Sequence, residues 1–167
     1  MNQVTIYSPD QARQAQSALT SAPLLQLPNA VARALAEKAV RSDSERSLIV
    51  NECNTVLAAN QPASPLEVAQ LVRRLMNHYR TPDMNEADLQ GVIEDWLEDL
   101  GPYPFDVLRD AMAAYRQSPK ASFKPMPGNI VELATGRAGF RLMLAKRARE
   151  TLELIAAEDA KTSQAAE

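Results

Sequence analysis

The chain has 167 residues, with 18 Lys and Arg against 21 Asp and Glu for a formal net charge of −3 at pH 7, and a pI near 5.3. That length suits one domain with helical arms, able to bury a core without disulfide or metal staples. One cysteine, Cys53, excludes an internal disulfide and a multi-cysteine metal site; one histidine, His78, removes most catalytic constellations; and the acidic balance argues against indiscriminate coating of nucleic acid, which grows with the number of phosphates neutralised.

Glycine is scarce, β-branched runs are few, and Ala, Leu, Glu and Arg dominate, a composition that favours helix throughout. The expected fold is all-α: a compact bundle of three central helices with an N-terminal helical region and a long C-terminal helix. Residues 1–10 lack the apolar run of a signal peptide, and no later stretch approaches the roughly 20 apolar residues of a membrane span. The expectation is a cytoplasmic protein with no membrane partner.

In chain order, residues 1–27 read as a mobile arm. Val4 and Ile6 suggest an isolated extended piece, and residues 11–18 a short polar helix with too little apolar surface to hold itself in place. Residues 28–60 read as a helical pair, 28–40 and 42–59, the second opened by a capping box at Ser42 and Glu45. A short linker, 60–63, leads to a central helical domain over 64–133.

That domain opens on Ser64 with Glu67 three residues on and Pro65 between them, a capping box with proline in the first helical position. Val68, Leu71, Val72, Leu75, Met76 and Tyr79 then fall on one helix face. Asn85 caps a second helix whose stripe is Leu89, Val92, Ile93, Trp96, Leu97 and Leu100, stopped by Gly101 and Pro102. Phe105, Leu108, Met112 and Tyr115 give a third stripe that ends near Ser118 and Pro119. A loop rich in proline and lysine, 119–128, follows.

The last segment, 134–167, belongs to a long basic helix predicted over 129–160 with a frayed polar tail. Its apolar face is expected to hold Phe140, Met143, Leu144, Ala148, Leu152 and Ile155, and Gly136 and Gly139 weaken its early turns enough for a kink or break. Charge is segregated along the chain. Every charged residue between 83 and 100 is acidic, and those from Arg116 to Arg149 are basic except Glu132.

No phosphate-cradling glycine loop, nucleophile elbow, helical histidine pair or cysteine pair is present. Carboxylate chemistry would have to come from Glu94, Asp95, Glu98 and Asp99, where Glu94 and Glu98 lie one turn apart and could share a divalent ion. The plainer reading is that these acids solvate the face opposite Trp96 and Leu97. His78 falls on a polar helix side, Cys53 among apolar neighbours and Trp96 within an apolar stripe, so none of the three marks a site. The expectation is a protein with no catalytic residue, metal or cofactor.

Two features point to binding. Arg137, Arg141, Lys146, Arg147 and Arg149 crowd successive turns of the last helix, where they either form a solvated face or meet nucleic-acid phosphate or an acidic protein surface. The loop Phe123, Lys124, Pro125, Met126, Pro127, Gly128, Asn129, Ile130 is held extended by its alternating prolines. Pro127 suits a first helical turn, and Phe123 and Ile130 are placed to pin the loop to the three-helix unit. The expected arrangement has Phe123, Pro125, Pro127 and Ile130 positioning the basic side chains.

The run 96–133 combines an aromatic helix, the break at 101–104, a helix ending Ala114, Tyr115, Arg116, and the Phe-x-Pro-x-Pro-x-x-Ile pattern of Phe123 to Ile130. It resembles small helical proteins encoded by phages and prophages, some of them similar to replicative-helicase loaders and inhibitors with a comparable proline-bounded helix start. The resemblance implies an accessory protein of DNA replication that binds a hexameric helicase and an origin-binding protein. This chain carries no nucleotide-binding loop, so ATP-driven loading is not expected of it. Two other readings of the residues stand beside this one. One is direct DNA contact through the basic helix, as a regulator or recombination accessory. The other is an assembly protein whose long helix pairs with its own copy through Leu144 and Leu152.

Overall fold

The computed structural model describes residues 7–18, 43–79 and 85–165. Among them every regular element is helical: α1 (Pro9–Ala18), α2 (Asp43–Ala59), α3 (Pro65–Met76), α4 (Glu86–Leu100), α5 (Phe105–Gln117), a 3-10 turn (Pro119–Ser122) and α6 (Pro127–Ala165). The expected helix over 28–40, the extended piece at Val4 and Ile6, and the box of Ser42 with Glu45 lie outside the described residues.

Three helix starts share one device, a proline at the first helical position and a side chain three residues past the cap that accepts the cap's own N–H. At α3, Glu67 Oε2 takes the Ser64 N–H at 2.8 Å while Ser64 Oγ accepts from the Glu67 N–H at 3.4 Å. At α1 the same exchange joins Ser8 and Gln11, at 2.8 and 3.2 Å. At α6, Asn129 Oδ1 takes the Met126 N–H at 3.0 Å. Each satisfies donors that a helix start leaves without intrahelical partners. Helix α4 uses the simpler form, with Asn85 Oδ1 accepting from Asp88 at 2.9 Å.

The chain divides into two compact units, Gln61–Gly139 and Met1–Asn60 with Phe140–Glu167. In this division residues 134–139 go with the central helices, and the rest of the long helix goes with the amino-terminal region.

In the unit Gln61–Gly139 the predicted stripes form one core. Val68, Val72 and Leu75 of α3, Trp96 and Leu100 of α4, and Leu108, Ala111, Met112 and Tyr115 of α5 close around Ile130, Ala134 and Ala138 of α6. The Leu89 side chain is outside the described set. Tyr103, in the break between α4 and α5, ties the unit together. Its carbonyl accepts the Ala63 N–H at 2.9 Å, and its hydroxyl lies 2.8 Å from Thr135 Oγ1.

The other unit is built from Ala15 of α1, Ile49, Cys53, Val56, Ala58 and Ala59 of α2, and Leu144, Ala145, Ala148 and Ile155 of α6. Here three expectations are corrected. Helix α1 does have a docking surface, because its alanines at 12 and 15 are small enough to bring its backbone against α2 and bury Gln16 with them. Phe140 and Met143 are not in the core but 51% and 40% exposed, since the buried stripe runs Leu144, Ala148, Thr151, Ile155 and leaves them to one side. The helix neither breaks at Gly136 and Gly139 nor ends near 160. It runs unbroken to Ala165, and Arg46 grips its later turns by donating to the Ile155 carbonyl at 2.9 Å and pairing with Asp159 at 2.5 Å.

Replacing Ser64 by Ala removes both the cap acceptor and the hydroxyl that donates to Glu67 Oε2 at 2.8 Å. Chemical denaturation of Ser64→Ala should show a loss of about 1 kcal/mol with an unchanged m-value, and an unchanged midpoint would show that the box contributes nothing.

Candidate functional site

The loop between α5 and α6 is built on Tyr115, which is 3% exposed. The Tyr115 hydroxyl reaches two loop carbonyls, Lys120 at 3.2 Å and Phe123 at 3.3 Å. Ser118 Oγ donates to the Tyr115 carbonyl at 2.7 Å and accepts the Lys120 N–H at 3.2 Å. The Phe123 N–H closes the 3-10 turn on the Lys120 carbonyl at 3.0 Å. Pro125 is fully buried and Ile130 has no exposure at all. Fixed φ at Pro125 and Pro127, together with these bonds, holds the backbone in one course.

That course presents Phe123 and Met126 to solvent, at 73% and 67% exposure. The expected role for Phe123 as a pin is therefore corrected: the tyrosine beneath the loop and the buried Pro125 do the pinning, and the phenyl ring is turned outward. Lys120 and Lys124 are exposed in the same loop, and the segment 116–131 contains no acid. The arrangement is a braced knob, an aromatic ring and a thioether on a loop that also carries two lysines. Burying such side chains in a partner is worth about 1.5–3 kcal/mol each, with little ordering cost when the backbone is already fixed.

The basic residues of α6 are not gathered on one face. Successive residues point about 100° apart around a helix, so Lys146, Arg147 and Arg149 diverge. Arg137 is exposed and folds back to its own helix, donating to the Leu133 carbonyl at 3.1 Å. Arg149 is exposed, and Lys146 stands 4.0 Å from Glu150 one turn on, a surface pair worth little by itself. Arg141 has a structural position. Its guanidinium donates to the Ala59 carbonyl, which also takes the Gln16 amide at 3.4 Å, so one buried oxygen at the end of α2 joins α1, α2 and α6. A cation is favourable at that end of a helix.

The remaining titratable groups fall as follows. Glu94, Asp95, Glu98 and Asp99 are exposed along α4 opposite the buried Trp96. Among the described residues no group of three or more acids, histidines or cysteines is arranged to hold a metal ion. His78 is exposed just past the end of α3. Cys53 is buried, and its thiol is pushed up to about 11 by burial and, further, by the charge of Glu52, which makes it a poor nucleophile at neutral pH. Burial also raises the Glu52 carboxyl above the usual range, and its Oε2 has no hydrogen-bond partner among the described residues. No helix of the described residues is long and apolar enough to cross a membrane.

Comparisons of the chain with protein-family models, with curated proteins and with solved structures find no match. The knob's main brace, the Tyr115 hydroxyl, escaped the sequence reading because a tyrosine at the end of an apolar stripe reads as core whether or not its oxygen is used. The pattern that could have revealed it is Tyr-x-x-Ser-Pro, a buried hydroxyl followed by a turn that must satisfy its own carbonyls.

Two measurements follow from this geometry. Tyr115→Phe keeps the ring and removes the donor, so stability should fall by about 1 kcal/mol, and amide exchange should quicken across residues 120–126 while α3 and α4 keep their protection. Equal acceleration everywhere would show global loosening instead. For Glu52, the folded protein holds the proton to higher pH than the unfolded chain, so stability falls as pH rises from the ordinary glutamate range through the raised folded value. Glu52→Gln should melt higher than the parent at neutral pH and converge with it in acid, and a gap that does not change with pH would place the effect elsewhere.

Proposed function

We propose that this protein is a non-catalytic accessory factor that works by binding another protein, in DNA replication of the phage or prophage type, with a replicative helicase as the partner to be loaded or held inactive. The observation that carries the reading is the knob: Phe123 and Met126 exposed on a loop that Tyr115, Pro125 and Asn129 brace from below. Large apolar side chains held outward on fixed backbone are what a recognition hot spot requires, and aromatic residues dominate such spots. The lysines of the same loop suit a pocket with an acidic rim, which would speed encounter and make binding sensitive to salt. The choice of partner rests on the resemblance of residues 96–133 to helicase loaders and inhibitors, and the knob lies inside that stretch.

Direct readout of DNA is the weaker reading. Diverging cations on α6 can touch phosphate but do not line one groove, and base recognition needs several polar side chains on one helix face.

The test is titration of the purified protein against the replicative helicase of the same cell by interferometry. The expected result is a stoichiometric complex that Phe123→Ala with Met126→Ala weakens by at least about tenfold, the equivalent of 1.4 kcal/mol, while circular dichroism of the variant stays unchanged. No complex with the helicase would overturn the choice of partner, and a complex indifferent to both substitutions would overturn the site.

A further inference from the structure

Buried side chains hold helix α6 along most of its length, but not evenly. From Ile130 to Ile155 its buried residues recur within four positions of one another at every step but one. The exception runs from Ala138 to Leu144. Within it Gly139, Phe140, Leu142 and Met143 are exposed, and Arg141 is half-buried and held through its guanidinium alone, at the far end of a flexible side chain. Before this gap Thr135 Oγ1 lies 2.8 Å from the Tyr103 hydroxyl, and Ala134 and Ala138 are in the core of their unit. After it the helix is held again: Leu144 and Leu152, the residues expected to carry self-pairing, are buried and half-buried in their own unit. The boundary between the two units of the chain falls in the same stretch, after Gly139.

Two of the five glycines of the chain stand here, at 136 and 139. A Cβ added at either would meet nothing within 4 Å, and both sit in helical backbone, so neither packing nor geometry calls for glycine. Each weakens the helix relative to alanine, and each leaves its carbonyl unshielded from water. By the helical repeat those two carbonyls accept from the Phe140 and Met143 N–H groups, inside the gap. One further acceptor is already provided for, since the Arg137 guanidinium donates to the Leu133 carbonyl at 3.1 Å and can keep it satisfied when the Arg137 N–H lets go.

We propose that residues 136–143 are a built-in point of opening in α6, where the helix loses its hydrogen bonds and bends far more often than in the turns on either side. Glycine pairs are a recognised cause of such bends, and a stretch with few buried contacts and exposed backbone bonds is where local opening costs least. The inference is independent of the Phe123 knob and of any partner.

Hydrogen exchange followed by mass spectrometry reads the opening directly. In the parent, amides of 139–143 should exchange at least about tenfold faster than those of 130–134 and 145–151. Gly136→Ala with Gly139→Ala, whose new methyl groups have open space, should slow exchange across 139–143 by at least about fivefold and leave the flanking turns unchanged. Gly91→Ala, at an equally open position in α4, should leave 139–143 as fast as in the parent. The bend is read from spin labels at Glu132→Cys and Lys146→Cys in a Cys53→Ala chain, about 21 Å apart along a straight helix at 1.5 Å per residue. Their distance distribution should be broad with glycine at 136 and 139 and narrow with alanine at both. Exchange at 139–143 no faster than in the flanking turns, a slowing in the double variant that is equal along the whole chain, the same slowing from Gly91→Ala, or a label distribution as narrow with glycine as with alanine would each overturn the proposal.

Discussion

A long α-helix cannot redirect a side chain without breaking its own hydrogen bonds, and α6 runs 39 residues without a break. That constraint organises the chain. Ile130, Ala134 and Ala138 leave the helix where the central helices need them, and Leu144, Ala145, Ala148 and Ile155 where the amino-terminal helices need them. What remains of its surface is fixed by subtraction. Phe140, Met143 and Leu154 are exposed because the helical repeat that buries their neighbours leaves them no inward direction.

Packing in the two units differs in kind. The central unit is held by large side chains, Leu75, Leu100, Leu108, Met112 and Ile130 among those fully buried, so its stability is mainly apolar area removed from water. The other described unit is alanine-rich, with Ala12, Ala15, Ala58, Ala59, Ala145 and Ala148 buried. Small side chains bury less area but allow close approach, and polar contacts supplement them. The Ala59 carbonyl receives two donors, and the Arg46 guanidinium meets a carbonyl and a carboxylate. The bonds to the buried Ala59 carbonyl are modest when formed and expensive to break, because losing them leaves a buried group without its partner, whereas the exposed Arg46–Asp159 pair contributes little by itself.

What was legible in the sequence was local. Ser64 with Glu67, Asn85 before α4, and the stripes around Val72, Trp96 and Met112 are read within a few residues, and the structure has them as expected. The box of Ser8 with Gln11 was equally local and was passed over because its helix looked too polar to dock. The misreadings were of two other kinds. Periodicity says that a residue lies on an apolar face but not which of two neighbouring faces is covered, hence Phe140 and Met143. Long-range polar bonds have no period at all: Arg141 read as part of a basic surface, yet its partner is a carbonyl 82 residues away. Phe123 shows a third limit, since an aromatic residue among prolines reads alike whether it anchors the loop or is displayed by it.

The order of the chain sets a timetable for its assembly during synthesis. Residues 61–139 contain a whole core and can close as soon as they emerge, whereas the unit that includes α1 and α2 must wait for Phe140 onward before its last face is covered. Until then Ile49, Val56 and the Ala59 carbonyl have no α6 to meet, and the central unit forms between two halves that are still apart. Joining them closes a loop of that whole unit, but its ends are by then held by a folded body, so the entropy lost is smaller than for a free chain of the same length. A chain cut off near residue 139 would therefore carry one finished unit and one open apolar surface, the form most exposed to chaperones and proteases.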